Sequence, residues 1–506
     1  MGGATVTATI PSEVDYADVQ GLVRFGYSRM ENARYDLLHV KDAAAARAWL
    51  RSISVTTALK IHPQPKTALH VAFTAPGLDA IGVAPSIIEQ FSHEFRTGMA
   101  TEYRGRQLGD VGGNAAGKWK WGRAGGEPHL LVMLFGADEH FDGLVQASMS
   151  DQWEKAFEVQ TLDVARLTAD EPFGFADGIS QPEIDWEQER ETPTTQVEYT
   201  NLTSLGEFLL GYPNEYGKIT DRPLLDPMAA TEGLLAAHDA PKMKDLGRNG
   251  TYLVMRQLQQ HVWTFWQFNI QQAGGDAAEA EKLASAMIGR TPDGIPLVPL
   301  QKEAILGVRR KMNQFTFDSD PSGVLCPFGA HIRRANPRNI DLPERPASLL
   351  KKLIISLGFG SQNFRYDLMS SVRFHRMLRR GRGYGPPLAR EDALAPRSED
   401  ENERGLHFIC LNANISRQFE FVQNAWIANT KFSGMTGESD PLLGNREPIP
   451  GCKVTSDFNL PQEGGLRQRV SGLPRFVTMR GGAYFFLPSL RALRYFASEK
   501  KPDPSE

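Results

Sequence analysis

The sequence predicts an α+β protein whose architecture is duplicated. The chain has 506 residues, more than one hydrophobic core usually organises, so two domains or a repeated core are expected. Its composition, with 41% apolar and 23% charged residues, is that of a globular protein. Several apolar, β-prone stretches run directly into helix-prone stretches, and those of the second half repeat the order of those of the first. Strands and helices in this order favour a duplicated α+β fold.

The strand–helix units can be placed along the chain. Arg34–Val40 ("RYDLLHV") is β-prone, and "DAAAARAWLRSI" after it begins with an aspartate suited to a helix N-cap. Two further units of this kind in the first half are "ALHVAFTAPGLDAIG" and "HLLVMLFGADEHFDGLVQ". The second half contains three similar units, "GTYLVMRQLQQHVWTFWQF", "LHFICLNANISRQFEFVQ" and "FVTMRGGAYFFLPSLRALRYF". We expect one half at residues 15–205 and the other at 206–498, joined by a polar loop at residues 185–201. A second, charged insert is expected at residues 386–405.

Charge and cysteine content exclude several classes of protein. The net charge of −4 argues against a nucleic-acid partner, because such proteins are usually basic. No apolar run reaches the roughly 18 residues of a membrane helix, and the first residues lack the features of a secretory signal. Cys326, Cys410 and Cys452 are too few for a disulfide framework or a cysteine metal site. We therefore expect a cytoplasmic protein with no membrane partner.

The stretch "EPFGFADGISQPEI" contains one aspartate, Asp177, close to two glycines, Gly174 and Gly178. Glycine permits a positive φ and lets the backbone approach a bulky group closely. A carboxylate on such a turn can be held over a cavity. The alternative is an ordinary surface turn, for which Asp-Gly is a common pair. The apolar neighbours Phe173 and Phe175 argue against that alternative.

Two further stretches combine histidine with arginine. In "CPFGAHIRRANPR", His331 follows a tight Pro-Phe-Gly turn and precedes three arginines. A lone histidine is more often structural, but an imidazole beside cations is favoured in the neutral form that a metal ligand requires. In "SVRFHRMLRRGRGYG", five arginines surround His375, which also fits a solvated basic helix end or a phosphate site. "GRGYG" lacks the spacing of a dinucleotide fingerprint.

Together, the three stretches resemble the dye-decolorizing (DyP-type) haem peroxidases. "GFADG" fits the distal G-x-x-D-G motif of that family, "GAHIRRANPR" its haem-binding segment, and "MLRRGRGYG" its distal-arginine segment. The resemblance covers nearly the whole chain and is to the larger bacterial and fungal members. It implies two ferredoxin-like α+β halves, with antiparallel sheets flanked by helices, around one non-covalently bound haem b per chain.

The resemblance also implies roles for individual residues. His331 is expected to be the proximal iron ligand, Asp177 the distal acid–base residue and Arg379 the distal arginine, with Arg380 as its alternative. The remaining expectations are Arg333, Asn336 and Arg338 near the haem, with the arginines on its propionates; Gly174 and Gly178 near the macrocycle; and Glu420 as the carboxylate partner of His331. Leu406 and Phe408 are expected as an apolar distal wall, and Tyr384 and Trp426 as radical-transfer residues, with ordinary packing in the core as the alternative for all four.

The activity implied is reduction of hydrogen peroxide coupled to one-electron oxidation of bulky dyes or phenolic donors. We expect it to be best at acidic pH, because a carboxylate base stays ionised in acid where an imidazole base is protonated. One alternative is a haem-binding or iron-release protein without peroxidase turnover, and a second is an α+β binding module without haem. The natural donor, oxidation of Mn(II) and homo-oligomerisation are left open.

Overall fold

The computed structural model describes residues 13–189, 201–300, 311–338, 372–395, 402–448 and 454–498. Cys452 and parts of the expected loop at 185–201 and of the insert at 386–405 lie outside the described residues. The strands are β1 (Asn32–Val40), β2 (Thr67–Phe73), β3 (Leu130–Gly136), β4 (Phe157–Leu162), β5 (Glu183–Asp185), β6 (Leu202–Ser204), β7 (Leu224–Leu225), β8 (Lys244–Asp245), β9 (Thr251–Gln260), β10 (Leu378–Arg379), β11 (Arg382–Tyr384), β12 (Gly405–Asn412), β13 (Phe458–Leu460), β14 (Gln468–Val470) and β15 (Val477–Leu487).

Short helices connect and cover these strands. The α-helices are α1 (Ala43–Ser52), α2 (Ala75–Ala80), α3 (Pro85–Ile88), α4 (His93–Thr97), α5 (Glu102–Leu108), α6 (Asp138–Ser148), α7 (Trp153–Ala156), α8 (Val262–Gln272), α9 (Ala277–Ile288), α10 (His331–Ala335), α11 (Arg390–Leu394) and α12 (Leu490–Ala497). Two π-helical segments, Ser416–Glu420 and Val422–Ala428, follow β12. Within the described ranges, no helix is long and apolar enough to cross a membrane.

One antiparallel sheet of nine strands organises the molecule. Its order is β10-β12-β9-β15-β2-β3-β1-β4, and β11 also pairs with β12. The strands of the first half, β1 to β4, occupy one end, and β9 to β12 with β15 occupy the other. In the first group β1 lies between β3 and β4, and β2 lies beside β3. In the second group β9 lies between β12 and β15, and β10 and β11 lie beside β12, which is the same ferredoxin-like arrangement. The two groups meet where Phe486 of β15 faces Phe73 of β2. The predicted α+β fold with duplicated ferredoxin-like halves is confirmed, while the boundary at residue 205 stays a prediction.

The predicted strand–helix units appear in the expected order. The first is β1 followed by α1, and the Asp42 side chain accepts a hydrogen bond from the Ala45 amide as an N-cap does. The unit after β12 differs, because its helix is π-helical rather than α-helical. Such widened turns occur often at functional sites.

The sheet separates two hydrophobic clusters. Alternate residues of a strand point to opposite faces, so Val254 and Leu258 of β9 pack into one cluster and Leu253 and Met255 into the other. Burying each such side chain contributes about 1.5–3 kcal/mol. The face that carries Leu258 also borders a cavity of about 280 Å³.

Candidate active site

A single cavity brings together most of the residues that the sequence motifs single out. Its volume is about 280 Å³. The wall formed by the sheet is made of alternate strand residues, so that Leu258 of β9 lies between its neighbours Arg256 and Gln260. The other lining residues that matter below are Glu171, Asp177, Ser180, Gln181, Arg290, His331, Asn336, His375, Arg376, Arg379, Leu406, Phe408, Trp426, Val477 and Met479.

His331 is the first residue of α10 and is partly exposed within this cavity. The turn before it is closed by the Ala330 amide, which donates to the carbonyl of Pro327 at 3.0 Å. Its ring nitrogen Nδ1 lies 2.9 Å from Oδ2 of Asp440. The neutral imidazole that donates this hydrogen bond from Nδ1 keeps Nε2 as an acceptor, which is the form that binds a metal.

Asp440 is fully buried and rigidly held. Its Oδ1 accepts hydrogen bonds from the amides of Leu442 (2.9 Å) and Leu443 (2.8 Å), which leaves Oδ2 for His331. Burial raises the pKa of this carboxyl group, but its contacts with His331, the Leu443 amide and Arg334 together lower the pKa below its usual value. The carboxylate therefore fixes the orientation of the imidazole ring.

The predicted carboxylate partner of His331, Glu420, was wrong. Its Oε1 lies 2.5 Å from Nε of Arg104 and accepts a hydrogen bond from the Tyr484 hydroxyl at 2.8 Å. Glu420 projects from the π-helical segment toward α5 and β15, so its charge is matched by Arg104 rather than by the imidazole. No local pattern marks Asp440, because 109 positions separate it from His331.

Asp177 lies at the end of a tight turn that begins at Glu171. Within the turn, the amide of Glu171 donates to the carbonyl of Phe175 at 2.9 Å. The aromatic side chains face inward: the rings of Phe175 and Trp266 are stacked with an interplanar angle of 3°, and Trp266 Nε1 donates to the carbonyl of Phe173 at 3.0 Å. The turn is thus anchored on α8, as expected from its apolar composition.

Arg379 and Asp177 form the charged pair of the cavity. Arg379 Nη1 lies 3.6 Å from Asp177 Oδ1, and the two side chains are 34% and 42% exposed. Gln181 fixes the backbone of Arg379, since its side-chain amide accepts from the Arg379 N–H (3.0 Å) and donates to the Arg379 carbonyl (3.1 Å). Arg379 Nη2 donates to the carbonyl of Ser180 at 3.2 Å.

The alternative to Arg379, Arg380, points away from the cavity. Its guanidinium group donates to the carbonyls of Leu22 (2.7 Å) and Val23 (3.0 Å). Arg380 follows the last residue of β10 and is held at Leu22 and Val23, so Arg379 is the arginine of this pair that borders the cavity.

The prediction that Arg333 and Arg338 contact the propionates does not fit the structure. Arg333 is buried and donates to Asp320 Oδ2 (2.9 Å) and to the Cys326 carbonyl (2.6 Å). Arg338 donates to the carbonyl of Asn313 at 2.8 Å. Both guanidinium groups are used to hold the chain around α10, and neither borders the cavity.

A different arginine, Arg376, lines the cavity beside Asn336. Arg376 Nη1 donates to Asn336 Oδ1 at 3.0 Å, and both residues border the cavity. Arg290 also borders it and donates to Ser180 Oγ at 3.0 Å. Arg376 lies in the arginine-rich stretch that the sequence drew attention to, but the spacing of five arginines does not show which of them faces inward.

Gly174 and Gly178 serve the turn rather than the cavity. Their φ angles are +90° and +77°, a region that other residues adopt only with strain. The expected positive φ is therefore present at both. Neither glycine is among the residues that line the cavity, and their expected closeness to the macrocycle stays a prediction.

Of the apolar and aromatic residues expected near the haem, three border the cavity and one does not. Leu406 and Phe408 lie on the face of β12 that borders the cavity, and Trp426 also lines it. Tyr384 lies on β11, where its ring contacts His407 with centroids 4.8 Å apart. The sequence interval of five residues from Arg379 suggested that Tyr384 begins near the cavity, but its ring packs against His407 and away from the cavity lining.

The donor set around the cavity can hold haem but not a bare metal ion. Among the described residues, no group of three or more histidine, cysteine, aspartate or glutamate side chains is placed to bind an ion. A single imidazole facing apolar walls instead suits a metal whose other ligands come from a macrocycle. The arginine and asparagine side chains at one edge suit carboxylates.

Comparison with known proteins agrees with this geometry. No protein-family model matches the chain. The chain is 28% identical to a dye-decolorizing peroxidase of Mycetinis scorodonius, over 96% of this chain and 88% of the relative, and 29% identical to one of Mycena epipterygia, over 96% and 87%. A crystal structure of a fungal DyP-type peroxidase from Auricularia auricula-judae superimposes with a TM-score of 0.72, at 23% identity, over 96% of this chain and all of that chain.

The chain is therefore similar to dye-decolorizing peroxidases in both sequence and fold. The similarity in sequence extends over nearly the whole chain, and the similarity in fold covers both ferredoxin-like halves. This similarity confirms the expectation of a haem-dependent oxidoreductase of the dye-decolorizing peroxidase type and does not support an α+β binding module without haem.

Proposed function

We propose that this protein is a dye-decolorizing peroxidase that reduces hydrogen peroxide with Asp177 and Arg379 and oxidises bulky aromatic dyes or phenolic donors in one-electron steps. The observation that carries the proposal is the shared cavity. It places an imidazole backed by a buried carboxylate and a carboxylate–guanidinium pair around one space. The names of the relatives support dyes as donors.

Haem b, bound without a covalent link, fits this cavity through the residues around it. His331 would be the iron ligand, because its Nδ1 is engaged by Asp440 and Nε2 remains available. Arg376 and Asn336 would hold a propionate, and Arg290, which also borders the cavity, would add positive charge to the site. When bound, haem supplies the iron centre that receives the peroxide and stores the oxidising equivalents between the two donor steps.

Asp177 is proposed to move the proton that peroxide cleavage requires. Its carboxylate accepts a proton from hydrogen peroxide and returns it to the oxygen that leaves as water. Partial exposure of the side chain keeps it in reach of water and of a small substrate. General acid–base assistance of this kind contributes about 10²–10⁴-fold to a rate.

Arg379 is proposed to stabilise the negative charge on the departing oxygen. A guanidinium group keeps its charge at any working pH and cannot serve as a base. The contacts to Gln181 and Ser180 position it before the reaction, so that little reorganisation is required.

Asp440 is proposed to act through His331. A buried carboxylate that accepts from Nδ1–H orients the ring and makes Nε2 a stronger electron donor. Since Asp440 is itself held by two backbone amides, the ring cannot rotate without breaking its hydrogen bond to this fixed carboxylate.

The size of the cavity separates the two substrates. With haem in the cavity, the space left beside the partly exposed Asp177 and Arg379 would admit hydrogen peroxide but not a bulky dye. Bulky donors must therefore give their electrons at an accessible edge of the cofactor or through a side chain that leads to the surface. Trp426, which lines the cavity, is better placed for this than Tyr384.

The proposal is tested by absorption spectra of the full chain reconstituted with haem. Wild type, His331→Ala and the matched control His375→Ala, which removes the second histidine of the cavity, are compared before and after one equivalent of peroxide. Loss of the histidine-ligated spectrum only in His331→Ala, and a rapid spectral change with peroxide in wild type, are expected. A wild-type spectrum that does not change with peroxide would favour a haem-binding or iron-release protein. Loss of ligation only in His375→Ala would show that His375, and not His331, is the iron ligand.

A further inference from the structure

Glu171 occupies the inside of the Asp177 turn, and neither the sequence motif nor the proposed chemistry gives it a role. It precedes Asp177 by six positions, borders the cavity and is only partly exposed. Removal from bulk water raises the pKa of its carboxyl group to about 7, and the charge of Asp177 acts in the same direction. A carboxylate that is removed from bulk water needs hydrogen-bond donors around it.

Three donors converge on this carboxylate. The amide of Phe173 donates to Oε2 and the amide of Phe175 donates to Oε1, each at 3.1 Å. Gln260 Nε2 donates to Oε2 at 2.6 Å. Two donors come from the turn and the third from β9, so Glu171 ties the turn to the central sheet.

The main chain of Glu171 closes the same turn. Its carbonyl accepts from the amide of Gly174 at 2.8 Å, and its amide donates to the carbonyl of Phe175 at 2.9 Å. One residue therefore takes part in four of the hydrogen bonds that shape the segment ending at Asp177. The outside of the turn is filled by the contacts of Phe173 and Phe175 with α8.

We propose that Glu171 is the positioning residue of the Asp177–Arg379 pair, because its carboxylate sets the turn that aims Asp177 and fastens it to Gln260. This inference rests on the acid–base role proposed for Asp177. Glu171 is not itself a catalytic residue, since its oxygens are occupied by the turn and by Gln260.

Glutamate and glutamine differ in their hydrogen-bonding groups, so the substitution Glu171→Gln tests this inference directly. A carboxylate offers two acceptors, whereas the amide of Glu171→Gln offers one acceptor and one donor. Whichever way that amide is turned, its NH₂ group faces the backbone N–H of Phe173 or Phe175, so one buried donor loses its partner. The volume is unchanged, and the effect on Asp177 is therefore one of position.

The rate of the peroxide reaction is measured by rapid mixing at about pH 8, where the carboxylate of Glu171, with its pKa of about 7, is ionised. Glu171→Gln should lower this rate about 10- to 100-fold, as expected for a misplacement of about 1 Å. The double variant Glu171→Gln/Asp177→Asn should be no slower than Asp177→Asn, because both changes disable the same group. Asp245→Asn, which alters a buried carboxylate that accepts the Arg248 amide outside the cavity, should react as wild type.

Hydrogen–deuterium exchange gives a readout that does not depend on turnover. In the haem-loaded full chain, the amides of residues 173–177 should exchange faster in Glu171→Gln, but not in Asp177→Asn or Asp245→Asn. If Glu171→Gln does not fold, Gln260→Leu, which removes only the tether to the sheet, carries the same two measurements.

The outcomes separate this inference from the proposed function. Wild-type rates and wild-type exchange in Glu171→Gln would overturn the positioning role. So would a loss of rate that adds in full to that of Asp177→Asn, because Glu171 would then act independently. If Asp177→Asn reacts as wild type, the acid–base role itself is wrong, and faster exchange in Glu171→Gln alone would still support its hold on the turn.

Discussion

The His331 side and the Asp177 side of the cavity are built in opposite ways. On the His331 side, the partner carboxylate of Asp440 is fully buried and its hydrogen bonds to His331, Leu442 and Leu443 are 2.9 Å or shorter. On the Asp177 side, the two charged groups are more than one-third exposed and their closest atoms are 3.6 Å apart. Exposed ion pairs contribute little to stability. One side is therefore built to hold a ligand still, and the other to stay reachable by a small substrate.

The comparison predicts that substitutions on the two sides disturb different steps. Changes near His331 should alter the iron ligand and its spectrum, whereas changes near Asp177 should alter the peroxide reaction and leave the ligand unchanged. The following variants separate these effects, beginning with the largest.

Asp177→Asn should slow the peroxide reaction about 10²–10⁴-fold, because the amide cannot accept and return a proton. The rate is measured by the absorbance change after rapid mixing with peroxide, and the spectrum before mixing should remain that of wild type. Asp170→Asn, an exposed carboxylate on the same segment, is the matched control. Equal rates in Asp177→Asn and wild type would show that the base is another group.

Arg379→Gln should slow the same reaction about 10²–10³-fold, the usual cost of removing one preorganised group that stabilises developing charge. Arg380→Gln, at the neighbouring position, is the matched control. It should keep the wild-type rate but lower the free energy of unfolding by about 1–3 kcal/mol, because the Leu22 and Val23 carbonyls lose their donor. A slow peroxide reaction in the control would reverse the assignment of the two arginines.

Asp440→Asn should lower activity about 10–100-fold and raise the reduction potential of the iron, because the imidazole loses its anionic partner. Glu420→Gln should leave the reduction potential unchanged, since Glu420 pairs with Arg104 and Tyr484. Spectroelectrochemical titration of both variants decides the point. A shift in potential for Glu420→Gln only would restore Glu420 as the partner of His331.

On the Asp177 side of the cavity, Glu171 should make the free energy of unfolding depend on pH. Burial raises its pKa from 4.5 to about 7, so the folded chain binds more protons than the unfolded chain between these values. The contribution of Glu171 to the free energy of unfolding should thus fall as pH rises through this window, by up to about 1.4 kcal/mol per pH unit. Urea unfolding of wild type and Glu171→Gln measures it, and the difference between them should decrease from about pH 5 to pH 7. A difference that grows with pH would contradict the assignment.

The smallest effects are expected from the two aromatic residues proposed for radical transfer. Trp426→Phe should lower turnover of a bulky dye without slowing the peroxide reaction, because Trp426 lines the cavity. Tyr384→Phe should have the smaller effect of the two, since Tyr384 lies against His407 and outside the cavity lining. Steady-state rates with a large dye and with a small phenol separate the two. Equal dye turnover in both variants and wild type would remove both residues from the scheme.

The fold was more accessible from sequence than the site. Strand–helix units are encoded within short stretches, as in β1 and α1, where alternating apolar residues and the Asp42 N-cap define both elements. Their repetition showed the duplication. The π-helical segments after β12 were not anticipated, because their composition is that of an ordinary helix.

The sequence motifs located three residues of the cavity, but not the residues that form hydrogen bonds with them. His331, Asp177 and Arg379 stand in motifs and border one space. Arg333 and Arg338 share the motif of His331, yet they hold the chain around it instead of facing inward. Proximity in sequence does not determine the direction of a side chain, and a long arginine side chain can turn either way.

Local patterns in the chain were sufficient for the α+β class, the repeat and the three reactive positions, since each depends on neighbours within a few residues. Folding decided which groups act on those positions. Asp440 reaches His331 across 109 positions, and Gln260 reaches Glu171 across 89. A hydrogen bond depends on distances of about 3 Å and on direction, and for groups so far apart along the chain only the packed sheet and its helices set both.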